Sequence, residues 1–300
     1  MLKHLKNIWK QLREALRLLV KNDPMRLAGA TAFFATFALP PILLILIQLL
    51  SLMFNRRTIS RQLFTQLSSI VGRDSVHQLI ETLRAFRGLA SNLAFAIVGF
   101  VFLLFVATTL FKVIQSSVNQ LWMIRSVGGK NFKMALRGRI KSVLIIVFTG
   151  ILFLGSLIAE SFKAFFGKHL EDMLPVMSIY VNNTIATILS IVIVWTWFTI
   201  LFRYLPDGKP TWKIALAGGL LTSILFNIGK EILKWLLPNS NIGAVYGTSA
   251  SIVLLLLFVF YSSLIFYYGA AFTKVWGVYK KEPIKPVYNA GLYDYTDVKG

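Results

Sequence analysis

The chain has 300 residues, 56% of them hydrophobic and only 15% charged, with a mean hydropathy of +0.67. Soluble domains are about 45–50% apolar and about 25% charged, so this composition points to a membrane protein. The net charge of +20 sits in residues that flank apolar runs, which fits anchoring at anionic lipid surfaces and argues against nucleic acid as a partner; the absence of cysteine excludes disulfides and thiolate chemistry.

Residues 1–26 carry charges throughout and no uninterrupted apolar core, which reads against a cleaved signal peptide. Leu5, Ile8, Trp9, Leu12, Leu16 and Leu19 recur at helical spacing among Lys and Arg. That pattern predicts an amphipathic helix lying on the cytoplasmic membrane surface.

A membrane span needs about 20 largely apolar residues. Six segments qualify: Leu27–Phe54, Asn92–Lys112, Ile140–Phe162, Val181–Phe202, Trp212–Ile232 and Ser249–Phe272. The fold class expected is therefore an all-α integral membrane protein, a six-helix bundle over residues 27–276. The first span would be about 42 Å long and must tilt, bend or project from the bilayer. Pro40 and Pro41 sit in its middle. They remove the backbone bonds to Thr36 and Phe37, so the span is expected to be kinked, as two half-helices. Thr31 and Thr36 stand near the freed carbonyls. Thr36, Pro40 and Pro41 are thus a candidate gate, against the plainer reading of a structural bend.

The connection at 55–91 carries two apolar periodicities at helical spacing. Ile59, Leu63, Phe64, Leu67, Ile70 and Val71 mark one, and Val76, Leu79, Ile80, Leu83 and Phe86 the other. Two short amphipathic helices are expected there, separated at Gly72, with Asp74 as the cap of the second. Most of the 32 Lys and Arg fall on one side if both termini are cytoplasmic, despite six arginines in this outer connection.

Two spans carry polar stripes. Thr108, Lys112, Gln115, Ser116 and Asn119 share a face toward the inner end of the second span. Ser223, Asn227, Lys230, Glu231 and Lys234 run from the middle of the fifth span to its outer end. Each reads either as a polar mouth for an anionic amphiphile or as a solvated helix extension with snorkelling lysines. Glu160 ends the third span beside Lys163, a surface pair or a proton-coupling group. Pro206, Asp207 and Gly208 mark a turn between the fourth and fifth spans, and Arg203 is an inner anchor. Residues 277–300, with their prolines, glycines and mixed charges, read as a flexible cytoplasmic tail.

No catalytic constellation emerges: there is no phosphate-cradling glycine loop, zinc-protease motif or nucleophile elbow. His4, His77 and His169 lack zinc-ligand spacing, so neither a metal nor a cofactor is expected.

Four stretches carry a family resemblance: "GATAFFATFALPP", "SSVNQLW", "LFRYLPDGKPTWKIALAGGLL" and "AVYGTSASIVLLLLFVFYSSLIFYYGAAFTKVW". In order and spacing the chain resembles the YihY/BrkB family of bacterial inner-membrane proteins, once labelled ribonuclease BN. The resemblance implies a six-helix inner-membrane protein generally described as a transporter, linked in some members to envelope integrity or virulence. The matching positions are Pro40, Asn119, Trp122, Arg203, Tyr204, Pro206, Tyr246 and Gly247. One departure is Ala271, where relatives often carry a polar residue; the nuclease label finds no support in the residues. The leading functional expectation is transport of an anionic lipid or other amphiphile, with membrane lipids, envelope proteins or further copies of the chain as partners. A non-transporting scaffold that organises envelope partners is the alternative, and a small-solute channel or exporter the third.

Overall fold

The structure is a computed structural model that describes residues 2–52, 54–88, 93–126, 140, 143–155, 175–236, 250–287 and 290–293. It is built from helices. In chain order they are α1 (Leu2–Lys21), α2 (Pro24–Leu50), α3 (Arg56–Val71), α4 (Arg73–Gly88), α5 (Leu93–Trp122), α6 (Val143–Gly155), α7 (Pro175–Tyr204), α8 (Trp212–Leu236) and α9 (Ala250–Tyr279). Four short strands accompany them: β1 (Ile124–Ser126), β2 (Gly208–Lys209), β3 (Lys285–Pro286) and β4 (Ala290–Leu292). Among the described residues, three stretches are long and apolar enough to cross a membrane: Pro24–Leu50, Trp212–Leu233 and Ile252–Tyr279. Val143–Gly155 and Ile188–Tyr204 are shorter apolar helical stretches.

Helix α9 is the hub. The α2–α5 pair packs on one side of it, α8 with α7 on the other, and α1 along its end. Small residues make the α8–α9 contact close. The two helices are antiparallel, and each carries a Gly and a Thr four residues apart: Gly218 and Thr222 on α8, Gly269 and Thr273 on α9. Gly218 lies against Thr273, and Gly269 against Thr222. Each hydroxyl bonds back to the carbonyl of the glycine on its own helix, Thr222 to Gly218 at 2.7 Å and Thr273 to Gly269 at 2.8 Å. The side chain is thereby satisfied internally while its methyl and hydroxyl fill the facing hollow. Gly219 takes Thr199 of α7 into a similar hollow, but there the buried hydroxyl has no hydrogen-bond partner among the described residues. Helix α6 joins the two sides: Leu46 of α2 lies against Gly150, and the Trp197 indole of α7 donates to Thr149 at 2.9 Å.

Helix α2 departs from the sequence expectation. It is uninterrupted from Pro24 to Leu50, with Pro40 and Pro41 inside it and both buried. Two half-helices do not form. Ala35, Ala38 and Ile42 on either side of the prolines pack against Val106, Leu110 and Ile114 of α5 and Val259 of α9. Tertiary contact thus holds the helical path where two backbone bonds are missing. The nearby hydroxyls do not serve the freed carbonyls. Thr31 donates to Leu27 and Thr36 to Ala32, each at 3.0 Å.

The connection after α2 folds as expected into two helices. Gly72, at φ +89°, ends α3 and permits the reversal. Helix α4 starts at Arg73, one residue before Asp74, and the Gly72 carbonyl accepts its first amide from Val76. Asp74 therefore lies inside the first turn and is not the cap residue. Ile59, Leu63, Leu79 and Leu83 pack on Leu43, Leu46, Ile47 and Leu50, along the second half of α2. Near the reversal, Phe64, Leu67, Val76 and Ile80 meet Leu39, Leu255 and Phe258. The α3–α4 hairpin thus doubles back along α2 toward the middle of the bundle.

Helix α1 docks on the last turns of α9. Gln11, Ala15 and Leu19 are buried, and the Tyr268 hydroxyl donates to the Leu12 carbonyl at 3.1 Å. Ile8, Trp9, Leu16 and Val20 stay exposed. The periodic apolar set thus divides between a protein contact and a free stripe. The segment after α9 also differs from expectation. Over its described residues it is not a loose tail: β3 pairs antiparallel with β2, and β4 with β1, while residues 294–300 lie outside the described residues. Ile284 is buried in the main core. Gly208 of β2 and Ile124 of β1 offered apolar surface and backbone groups that this segment satisfies.

Candidate functional site

The polar residues of the expected inner stripe divide by the face of α5 they occupy. Lys112 and Ser116 are exposed on its outer surface. Thr108 is buried and bonds back to Phe105 at 3.0 Å. Gln115 and Asn119 turn the other way, to the loop between α7 and α8. Gln115 Nε2 donates to Asp207 Oδ1 at 2.9 Å, and Asn119 Nδ2 to Asp207 Oδ2 at 2.8 Å. The Asp207 amide donates in return to Asn119 Oδ1 at 2.9 Å. Its carbonyl accepts from Val287, next to β3, at 2.8 Å. Through its carboxylate and its carbonyl, Asp207 therefore links α5, the α7–α8 turn and the segment at β3. Charge-assisted bonds of this kind are the stronger class.

Apolar groups enclose this clamp. Trp122 is buried, and its Nε1 donates to the Ala270 carbonyl of α9 at 2.8 Å. Trp122 Cε3 and Ile284 Cγ2 would stand 2.8 and 2.7 Å from a Cβ at Gly208, so only glycine fits there. Pro206 is buried, and Arg203 donates to the Pro210 carbonyl while its guanidinium lies 5.4 Å from the Trp212 ring centre. Tyr204 is exposed and packs edge-on against Trp212 at 6.1 Å. Replacing Trp122 with Phe removes one buried hydrogen bond, while the Ala270 carbonyl keeps its place in helix α9. The variant should lose about 1–2 kcal/mol in chemical denaturation of the detergent-solubilised protein.

A second polar group lies deeper. Thr31 of α2 and Ser117 of α5 both hydrogen-bond to the hydroxyl of Tyr267, which is fully buried on α9. Beside it, Phe198, Phe202, Phe226 and Phe266 form a continuous aromatic cluster, with ring centres 5.1 to 6.5 Å apart. Among the described residues, the half of the bundle that carries α1 and the strands, the near half, is filled at this level by these side chains.

The other expected stripe is largely occupied by helix-to-helix bonding. Ser223 Oγ donates to the Ile191 carbonyl of α7 at 2.8 Å, and Asn227 Nδ2 to Ser223 O at 2.9 Å. Asn227 Oδ1 accepts from Ser190 at 3.3 Å and from Lys230 Nζ at 3.4 Å. Glu231 is exposed. The Lys234 side chain, Tyr246, Gly247, Glu160 and Lys163 lie outside the described residues. Ala271 is buried in the main core, where a carboxylate would lack water. Among the described residues no three His, Cys, Asp or Glu side chains converge.

Sequence reasoning named Asn119 and Trp122 but took Asp207 only as part of a turn, and it passed over Ser117 and Tyr267. The signal available for Asp207 was the pair of amides at 115 and 119, one helical turn apart with no local partner.

The sequence model of the virulence factor BrkB family matches residues 15–286. A UPF0761 membrane protein of Saccharophagus degradans is 26% identical over 262 residues, covering 85% of this chain and 57% of the relative. UPF0761 membrane protein MS0032 of Mannheimia succiniciproducens is 23% identical over 265 residues, covering 86% of each. A UPF0761 membrane protein of a Janthinobacterium species is 25% identical over 281 residues, 91% of this chain and 62% of its own length. The chain therefore spans little more than half of some relatives it matches. No solved structure matches it.

Proposed function

The chain belongs to the virulence factor BrkB family of membrane proteins, and on that footing we propose that it moves an anionic lipid or other amphiphile across the bacterial inner membrane. In this reading six helices span, the termini and the strands are cytoplasmic, and the α3–α4 hairpin lies on the outer side. The observation that carries the reading is the charged face of that hairpin. Leu39, which its tip touches, is twelve residues beyond Leu27, or about 18 Å along α2. The hydrocarbon layer is about 30 Å thick. The tip therefore reaches membrane depth.

Yet Arg61, Thr65, His77, Glu81 and Arg84 are exposed on the hairpin. Thr65 and His77 stand beside the tip and Arg61, Glu81 and Arg84 nearer the outer boundary, and a polar face running inward from that boundary borders water in this reading. Ser223, Asn227 and Lys230 occupy the same far half of the bundle, since α8 starts at the near end. The far half is then a wet vestibule, and the aromatic cluster of the near half is its floor. The uninterrupted α2 leaves the gate to those rings and not to a broken helix at Pro40 and Pro41.

The chain has no cysteine, so single cysteines report accessibility cleanly. His77→Cys and Glu81→Cys should react with a membrane-impermeant maleimide added to intact cells, while Phe33→Cys, an exposed apolar position of the near half, should not. Failure of both hairpin cysteines to label would remove the vestibule. In proteoliposomes, a fluorescent phosphatidylglycerol should exchange between leaflets faster than in empty vesicles, and Asn227→Leu with Lys230→Leu should slow it several-fold. A rate equal to that of empty vesicles would favour the scaffold reading, which the interlocked strands at the near end also suit.

A further inference from the structure

Between α1 and the end of α9 lies an open groove of about 570 Å³. Lys10, Arg17 and Lys21 line it from α1 and Lys274 from α9, against one carboxylate, Glu14. Leu18, Val275 and Val278 supply its apolar walls. Glu14 stands 3.9 Å from Arg17, with both side chains largely exposed. Such a pair is weak and readily exchanged for a stronger anion. Lys274 Nζ donates to the Leu121 carbonyl at 3.3 Å, which fixes one cation at the back of the groove.

Two features set what fits. Lys274 is 24 residues beyond Ala250, about 36 Å along α9, which is longer than the roughly 30 Å hydrocarbon layer; with that layer entered near Ala250, the groove stands level with lipid headgroups. And the exposed stripe of Trp9, Leu16 and Val20, with Trp9 71% exposed, occupies the sector of α1 next to its basic one. Cations beside an apolar stripe at that level match a phosphate with acyl chains attached, not a free ion. We propose that this groove binds the headgroup of an anionic phospholipid of the near leaflet. The site is separate from the vestibule and does not depend on the transport reading.

The test uses the full chain in a neutral detergent, with the unfolding midpoint followed by tryptophan fluorescence. Phosphatidylglycerol should raise the midpoint, and phosphatidylcholine or inorganic phosphate should not. Lys10→Gln with Arg17→Gln should weaken the phosphatidylglycerol response about thirty-fold, given the usual worth of each basic residue at an anionic surface. Lys209→Gln with Lys213→Gln, exposed residues at the same end, should leave it unchanged. An equal loss in that second pair would overturn the proposal in favour of diffuse surface charge. An equal response to inorganic phosphate would overturn it in favour of a soluble anion, and an equal response to phosphatidylcholine would overturn its charge selectivity.

Discussion

Gly269→Leu will prevent α8 and α9 from meeting and will cost about 3 kcal/mol or more, seen as a loss of folded protein on size-exclusion chromatography in detergent. A Cβ at position 269 falls inside van der Waals contact of Thr222 Oγ1, and it stands 3.0 Å from Thr222 Cβ and 3.2 Å from Phe202 Cζ. Thr222 cannot swing away, because it is fully buried and bonded to Gly218. The smaller change Gly269→Ala carries a sharper prediction. Alone it should cost about 1–3 kcal/mol. Combined with Thr222→Ala, which removes the overlapping hydroxyl, more than half of the loss should return. If the double variant is as unstable as the sum of the two single ones, the side chains are not in contact. Gly218→Ala with Thr273→Ala should behave alike, because the two hollows are equivalent.

Asp207→Ala will produce the second large effect, about 3 kcal/mol of stability by chemical denaturation. It withdraws the acceptor from both Gln115 and Asn119. Each bond to a charged group is worth about 1.5–3 kcal/mol, reduced here because Asp207 is only half-buried. Asp207→Asn should cost less, since one amide oxygen can still accept from α5. Leu at both 115 and 119 should itself destabilise, and Asp207→Ala placed in that background should then add little, as expected of groups acting as one unit. A full additional loss would mean that the carboxylate acts through other partners.

How much of this was legible follows from the range of each interaction. The helices of 56–88 were readable because their apolar spacing and Gly72 are local signals. Membrane character was readable from composition. The state of Pro40 and Pro41 was not, since the outcome turned on whether Leu110 and Val259 brace the helix there. Local chemistry favoured a break, and packing from residues 70 and 218 positions away overrode it. The partners of the polar stripes were unreadable for a related reason. Thr108, Lys112, Gln115, Ser116 and Asn119 sit at helical spacing, but spacing does not say which of them meets Asp207. The strands at 285–286 and 290–292 are too short to show a period, and their partners lie far upstream. Gly218, Thr222, Gly269 and Thr273 were visible as small residues at four-residue intervals. Only the antiparallel contact reveals that one interval complements the other.

The closing of the near end also has a consequence for the order in which the protein is made. Strand β1 follows α5 and strand β2 follows α7, yet each finds its partner only in residues after α9. While the ribosome is still extending the chain, Gly208, Ile124 and the Asp207 carbonyl wait without Ile284 and Val287. Every described helix must therefore be synthesised before the clasp can be tied, and a nascent chain arrested ahead of residue 284 would leave it open to quality-control proteases.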